Sequence, residues 1–158
     1  MRAGSSISKL VLLGACAAAA CLPSAATASG GGRTAAEFFA RISGKTVTCA
    51  MYDGRGGRST LCETVRPGFE AKATLEPSGT VKACSVKAST LANRCDLGNA
   101  GVGTPTYRSG RTVTVGRFRC QVLSGGVRCV VTKTGRGFMF TPSKITGVGG
   151  ASVRRTVG

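Results

Sequence analysis

Hydrophobic and polar residues alternate from Arg117 to Leu123 and resume from Gly126, with Ser124-Gly125 between the two runs. A period of two sends successive side chains to opposite faces of a strand. Ser-Gly fits a two-residue hairpin turn. The predicted register pairs 123 with 126, 122 with 127, 121 with 128 and 120 with 129. The pair beside such a turn is hydrogen-bonded and alternate pairs are not. Cys120 and Cys129 therefore face each other in a non-hydrogen-bonded pair with Cα atoms ~4.5 Å apart, just inside the range a disulfide accepts. Phe118, Cys120, Val122, Val127, Cys129 and Val131 share the core face, and Arg117, Arg119, Gln121 and Arg128 share the other.

The same β-type pattern begins at Lys45: Thr, Val and Ile are frequent, and Gly or Pro-Ser-Gly breaks the runs roughly every 8–12 residues. Strands are predicted at 45–52, 60–65, 70–75, 79–86, 111–115, 117–123, 126–133 and 137–141. The stretch 88–109 reads as a loop around a cysteine pair, and 147–158 as a flexible tail. Residues 47–64 are a looser copy of the hairpin, with Val47-x-Cys49, Gly56-Gly57 and Cys62. The copy has a longer loop over 53–59, with Arg55 and Arg58 at its tip. Upstream, Thr34-Ala35-Ala36-Glu37 has capping-box spacing and predicts one helical turn, a strand start being the other reading. The expected fold is all-β: a small disulfide-stapled antiparallel sandwich or partly open barrel of about seven or eight short strands over 39–146, after a linker at 29–38.

Residues 1–28 have the form of an export signal. Arg2 and Lys9 precede an apolar run at 10–22, Pro23 breaks it, and Ala26-Thr27-Ala28 is a small-x-small cleavage site. The run is shorter than the ~20 residues of a membrane-spanning helix. Leu13-Gly14-Ala15-Cys16 offers a rival lipoprotein reading, with anchoring at Cys16, but only six apolar residues precede that cysteine and more follow it. Cleavage after Ala28 leaves one domain's length of chain in a secreted, extracellular protein.

Six cysteines follow the leader: Cys49, Cys62, Cys84, Cys95, Cys120 and Cys129. An even number in an exported chain implies a disulfide framework. Six cysteines allow 15 connectivities, which sequence alone does not separate. Spacing suggests three local pairs, 49–62, 84–95 and 120–129, each worth roughly 2–3 kcal/mol in the chain-entropy model. No CxxC and no histidine are present, so no metal or other cofactor is expected.

Catalysis is hard to build from this composition. Histidine is absent, which removes the usual acid–base group near neutral pH. Paired cysteines leave no thiol nucleophile. The carboxylates, Glu37, Asp53, Glu63, Glu70, Glu76 and Asp96, are scattered and mostly lie among Lys and Arg, as solvated ion pairs would. No nucleophile elbow and no phosphate loop occurs. The expectation is a protein that is not an enzyme.

Charge supplies the positive signal. Without the leader, twenty basic residues stand against six acidic ones, a net charge of +14. No acid follows Asp96, whereas ten Lys and Arg do. Such charge speaks for solubility and polyanion binding, and a merely compositional origin is the alternative. The candidate binding residues are Arg117, Arg119 and Arg128, then Arg136 in Gly135-Arg136-Gly137, and Arg55 and Arg58. Phe118, Phe138 and Phe140 are expected in the core, not as stacking platforms.

Residues 110–120, then Ser124-Gly125-Gly126-Val127-Arg128-Cys129, then Thr134-Gly135-Arg136-Gly137-Phe138 resemble the C-terminal half of a family of small exported actinobacterial proteins, classed as a domain of unknown function. Its members carry Phe-x-Cys, a short Gly turn, Val-x-Cys and a Gly-His-Gly-Phe-like segment. Phe39, Ser43-Gly44, Val47 and Cys49 match part of the family's N-terminal signature, while its Pro and Asn are absent and Phe39 sits one residue farther back. Arg136 stands where a His is often found. The resemblance covers about 39–141; it implies an exported domain with three cysteine pairs and supplies no activity.

The leading expectation is a non-catalytic exported module that binds an anionic cell-envelope or extracellular polymer. The alternatives are a protein–protein module such as a hydrolase inhibitor, with Tyr52 or Tyr107 as anchor, and an envelope stability factor without a ligand.

Overall fold

The computed structural model describes residues 35–87, 95–97 and 104–156; the predicted leader, its cleavage site and Cys16 lie outside them. In chain order, β1 (Ala35–Ile42), β2 (Lys45–Gly54), β3 (Gly57–Arg66), β4 (Phe69–Leu75), β5 (Val81–Lys87) and β6 (Thr106–Tyr107) belong to a first sheet. A second sheet contains β7 (Thr112–Val115), β8 (Phe118–Leu123), β9 (Gly126–Val131), β10 (Gly137–Thr141) and β11 (Lys144–Val148). The chain then returns to the first sheet as β12 (Val153–Thr156). The orders are β12-β5-β4-β3-β2-β1-β6 and β11-β10-β9-β8-β7, two open sheets stacked as a sandwich. No helix occurs among the described residues.

The 117–132 hairpin has the predicted register, with Cys120 opposite Cys129 and Leu123 opposite Gly126. The earlier copy is equally tight: Gly54 pairs with Gly57, so a two-residue turn, Arg55-Gly56, replaces the expected loop over 53–59. Both cystines lie an odd number of steps from the pair beside the turn, five in one hairpin and three in the other. Alternation then makes both of them narrow, non-hydrogen-bonded pairs, and both have Cα atoms 4.1 Å apart.

Three expectations need correction. Of the two readings at Ala35–Glu37 the strand start holds and the helical turn does not form: β1 pairs along its whole length with β2 and buries Phe38, Ala40 and Ile42 at alternate positions, and that burial outweighs a local capping signal. Residues 147–158 are not a free tail, because β12 adds in parallel to β5 with Val153 opposite Val81. The strand total exceeds eight, β1, β6, β11 and β12 being the additions.

The core lies between the sheets. Phe38, Phe118, Phe138 and Phe140 are fully buried there. The 49–62 and 120–129 disulfides face each other across it, with Cys62 Sγ 3.8 Å from Cys129 Sγ. These sulfurs carry no hydrogen, so the contact is van der Waals packing. The third disulfide, Cys84–Cys95, holds the chain on the outer side of the first sheet, where Lys72 Nζ donates to the Asp96 carbonyl. On that side Glu63 and Glu70 are buried, contrary to the expectation of solvated acids.

A basic end and a basic sheet face

The antiparallel order places the β2–β3, β4–β5, β7–β8 and β9–β10 turns and the β11–β12 link at one end of the sandwich. Four of the six predicted arginines gather there. Arg55 is exposed in the β2–β3 turn and Arg58 is the second residue of the next strand. Arg117 lies in the two-residue turn Gly116-Arg117, closed by the Val115–Phe118 pair, and not within a strand. Parity along 117–123 therefore misplaces it: it leaves the sheet face and turns to Asp53. Its backbone N–H donates to Asp53 Oδ2 at 2.7 Å, and its Nε lies 3.2 Å from both carboxylate oxygens. Arg58 Nε sits 3.9 Å from Asp53 Oδ1. Gly116 makes the approach possible: its φ is +52°, and a Cβ there would collide with the Asp53 carboxylate.

The contacts continue across the end. The Thr132 N–H donates to the Arg117 carbonyl at 2.8 Å, which brings exposed Lys133 alongside. Arg136 follows in the same turn, with its N–H on Thr134 Oγ1 at 3.3 Å. Its side chain lies against Gly79 of the β4–β5 turn, where an added Cβ would be 2.8 Å from Arg136 Cβ. Arg58 and Arg117 thus engage Asp53, Arg55, Lys133 and Arg136 lie in turns at the same end, and Glu76 is held by Lys82 at 2.6 Å.

Arg119 and Arg128 occupy the exposed face of the second sheet. Arg119 pairs with Val130 and Arg128 with Gln121, so the two arginines are diagonal neighbours on adjacent strands. Thr114, Thr112 and Met139 border them. Phe118 is fully buried beneath, as its parity predicts.

Two members of the site have no clear mark in the sequence. Asp53 is 64 positions from Arg117, and Lys133 looks like any solvated lysine. A signal for Arg117 did exist: strands ending at 115 and starting at 117 leave one residue, too few for the common hairpin turn. Among the described residues, no three His, Cys, Asp or Glu side chains gather to hold a metal ion. No family model, no curated protein and no solved structure matches the chain.

Proposed function

We propose that the protein is an exported, non-catalytic module that binds an anionic polymer of the cell envelope or extracellular space through the second sheet and the adjoining basic end. One observation carries this reading: residues 108–152, which contain the second sheet and its turns, hold eight Lys and Arg and no carboxylate. Asp53 and Glu76 reach the basic end from the other sheet, each in an ion pair. Phosphate, sulfate or carboxylate groups spaced along a polymer would meet a matching array and release their counterions. Three disulfides suit an oxidising compartment, and no helix among the described residues is long and apolar enough to cross a membrane.

The protein–protein reading gains less support. The Tyr52 hydroxyl donates to Glu37 at 2.9 Å, Tyr107 packs on Phe38, and Met51 is fully buried. None of them is an exposed anchor.

Retention on heparin across a salt gradient tests the proposal. Changing Arg119, Arg128 and Lys133 to Gln should lower the eluting salt and flatten the salt slope. Changing Arg41, Lys87 and Arg154, which lie on the first sheet, removes the same charge and should do less. Equal shifts from the two triple variants would reduce the charge to composition.

A further inference from the structure

Away from the basic end, the two sheets do not close on each other. The chain passes from β11, the edge of the second sheet, to β12, the edge of the first. Near the link these edges touch: a Cβ on Gly147 would lie 3.0 Å from Val153 Cγ2. Two residues farther along each strand, Ile145 and Arg155 instead line a cavity of about 260 Å³ that opens to solvent. Phe69, Ala71, Ala83 and Ile145 are its apolar walls, and each is at least nine-tenths buried. Ser85, Ser143, Thr156, Lys144 and Arg155 supply the polar part. None of the lining residues carries a carboxylate.

Arg155 is the informative member. It pairs with Ala83, and Val153 with Val81. Val81 and Ala83 point into the core, and paired residues on neighbouring strands share a face. Arg155 therefore sits on the inner face of an edge strand, turned toward the gap between the sheets, while Arg154 faces out. A cation so placed meets an apolar floor and hydroxyl groups but no acidic partner in the cavity. At ~30 Å³ per water-sized group, the space admits about nine non-hydrogen atoms.

We propose that this cavity binds a small amphipathic anion, with its acidic head on Arg155 and its apolar part on Phe69, Ala71, Ala83 and Ile145. The site is separate from the basic sheet face and does not depend on the polymer reading. A carboxylate and a phosphate monoester share the required chemistry: one compact anionic head that accepts charge-assisted hydrogen bonds. A neutral head of the same size would forfeit the arginine contact.

The test titrates the folded protein with hexanoate, hexyl phosphate and 1-hexanol while following the methyl NMR signals of Ala71, Ala83 and Ile145. Both anions should shift these signals in a saturable way, and their relative affinity identifies the preferred head. Hexanol should bind about ten-fold more weakly or worse. Arg155→Gln should weaken the anions by a similar factor, with circular dichroism and heparin retention near those of the parent. Arg154→Gln, on the opposite face of the same strand, should leave binding unchanged. Ala83→Leu should block the floor; where that variant fails to fold, the Arg155 and Arg154 pair decides. Equal affinity of hexanol and hexanoate, equal loss in the two arginine variants, or no saturable shift at these methyls would overturn the proposal.

Discussion

Asp53 sits where three turns meet, with its side chain 10% exposed and both oxygens engaged by Arg117. A hydrogen bond to a charged group contributes about 1.5–3 kcal/mol, and the exposed guanidinium places this one toward the lower value. Asp53→Ala should therefore cost roughly 1–2 kcal/mol in chemical denaturation. The same change frees Arg58 and Arg117 and should raise the salt needed to elute the protein from heparin. Stability and retention moving in opposite directions would mark the carboxylate as an internal brake on the basic end; a parallel fall in both would refute that role. Tyr52 offers a second residue-level check. Burial, then the hydrogen bond to Glu37, then the charges of Glu37 and Glu63 raise its phenol above the ordinary value of 10.0. The folded state thus holds the proton more tightly than the unfolded chain. Its contribution to stability is complete below pH 10.0 and declines as pH climbs from there through the folded value. In a Tyr107→Phe background, phenolate absorbance should report Tyr52 alone and titrate above 10.0. Titration at or below that value would contradict the burial.

The three disulfides differ at the scale of elements. Cys49–Cys62 and Cys120–Cys129 each clamp one hairpin, and all four of these cysteines are fully buried. Cys84–Cys95 ties a long connection to the outer side of the first sheet, and Cys84 is partly exposed. Mild reductant should open 84–95 first, while the core pairs wait for global unfolding. Mass mapping after short dithiothreitol treatment would show this order; early alkylation of Cys120 or Cys129 would count against it. Replacing both members of 84–95 by Ala should cost about 2–3 kcal/mol from loop entropy. The same change at 120–129 should cost more, because it also empties space against the Cys62 sulfur. The hairpins were legible in the sequence for a physical reason. Period-two burial and a two-residue turn leave one register, since a one-residue slip would put arginines in the core. β12 was not legible and β1 was legible only as one of two readings, because each is defined by its neighbour. Ala35–Ala36–Glu37 favours a helix locally, and only pairing with β2 makes it a strand. Val153–Thr156 follows a Gly-rich link and carries two arginines, and only the open edge of β5 recruits it. The candidate site followed the same rule. Residue types and the Arg119–Arg128 face could be read from alternation, whereas the clustering around Asp53 needed the two sheets brought together.

At the scale of the whole molecule, the absence of acids after Asp96 becomes a spatial asymmetry, because the second sheet is built entirely from later residues. The folded chain concentrates cations that the unfolded chain spreads out. Two effects of ionic strength follow. Screening relieves self-repulsion in the compact state, so salt added from about 10 mM to 0.15 M, where the Debye length shrinks from ~30 to ~8 Å, should raise Tm. A polyanion at low salt should also raise Tm, since a ligand that prefers the native state stabilises it by mass action. Heparin should therefore stabilise the protein strongly at low salt and progressively less as salt competes for its charges. Melting curves with and without heparin should converge at high salt. The sign of the low-salt effect separates a folded site from bulk composition. The unfolded chain has the same formal charge, so a polyanion that recognises charge alone has no reason to prefer the native state. A rise in Tm that disappears in the Arg119, Arg128 and Lys133 triple variant would require the arrangement on the second sheet. An unchanged or lowered Tm with heparin would mean that the folded array confers no preference.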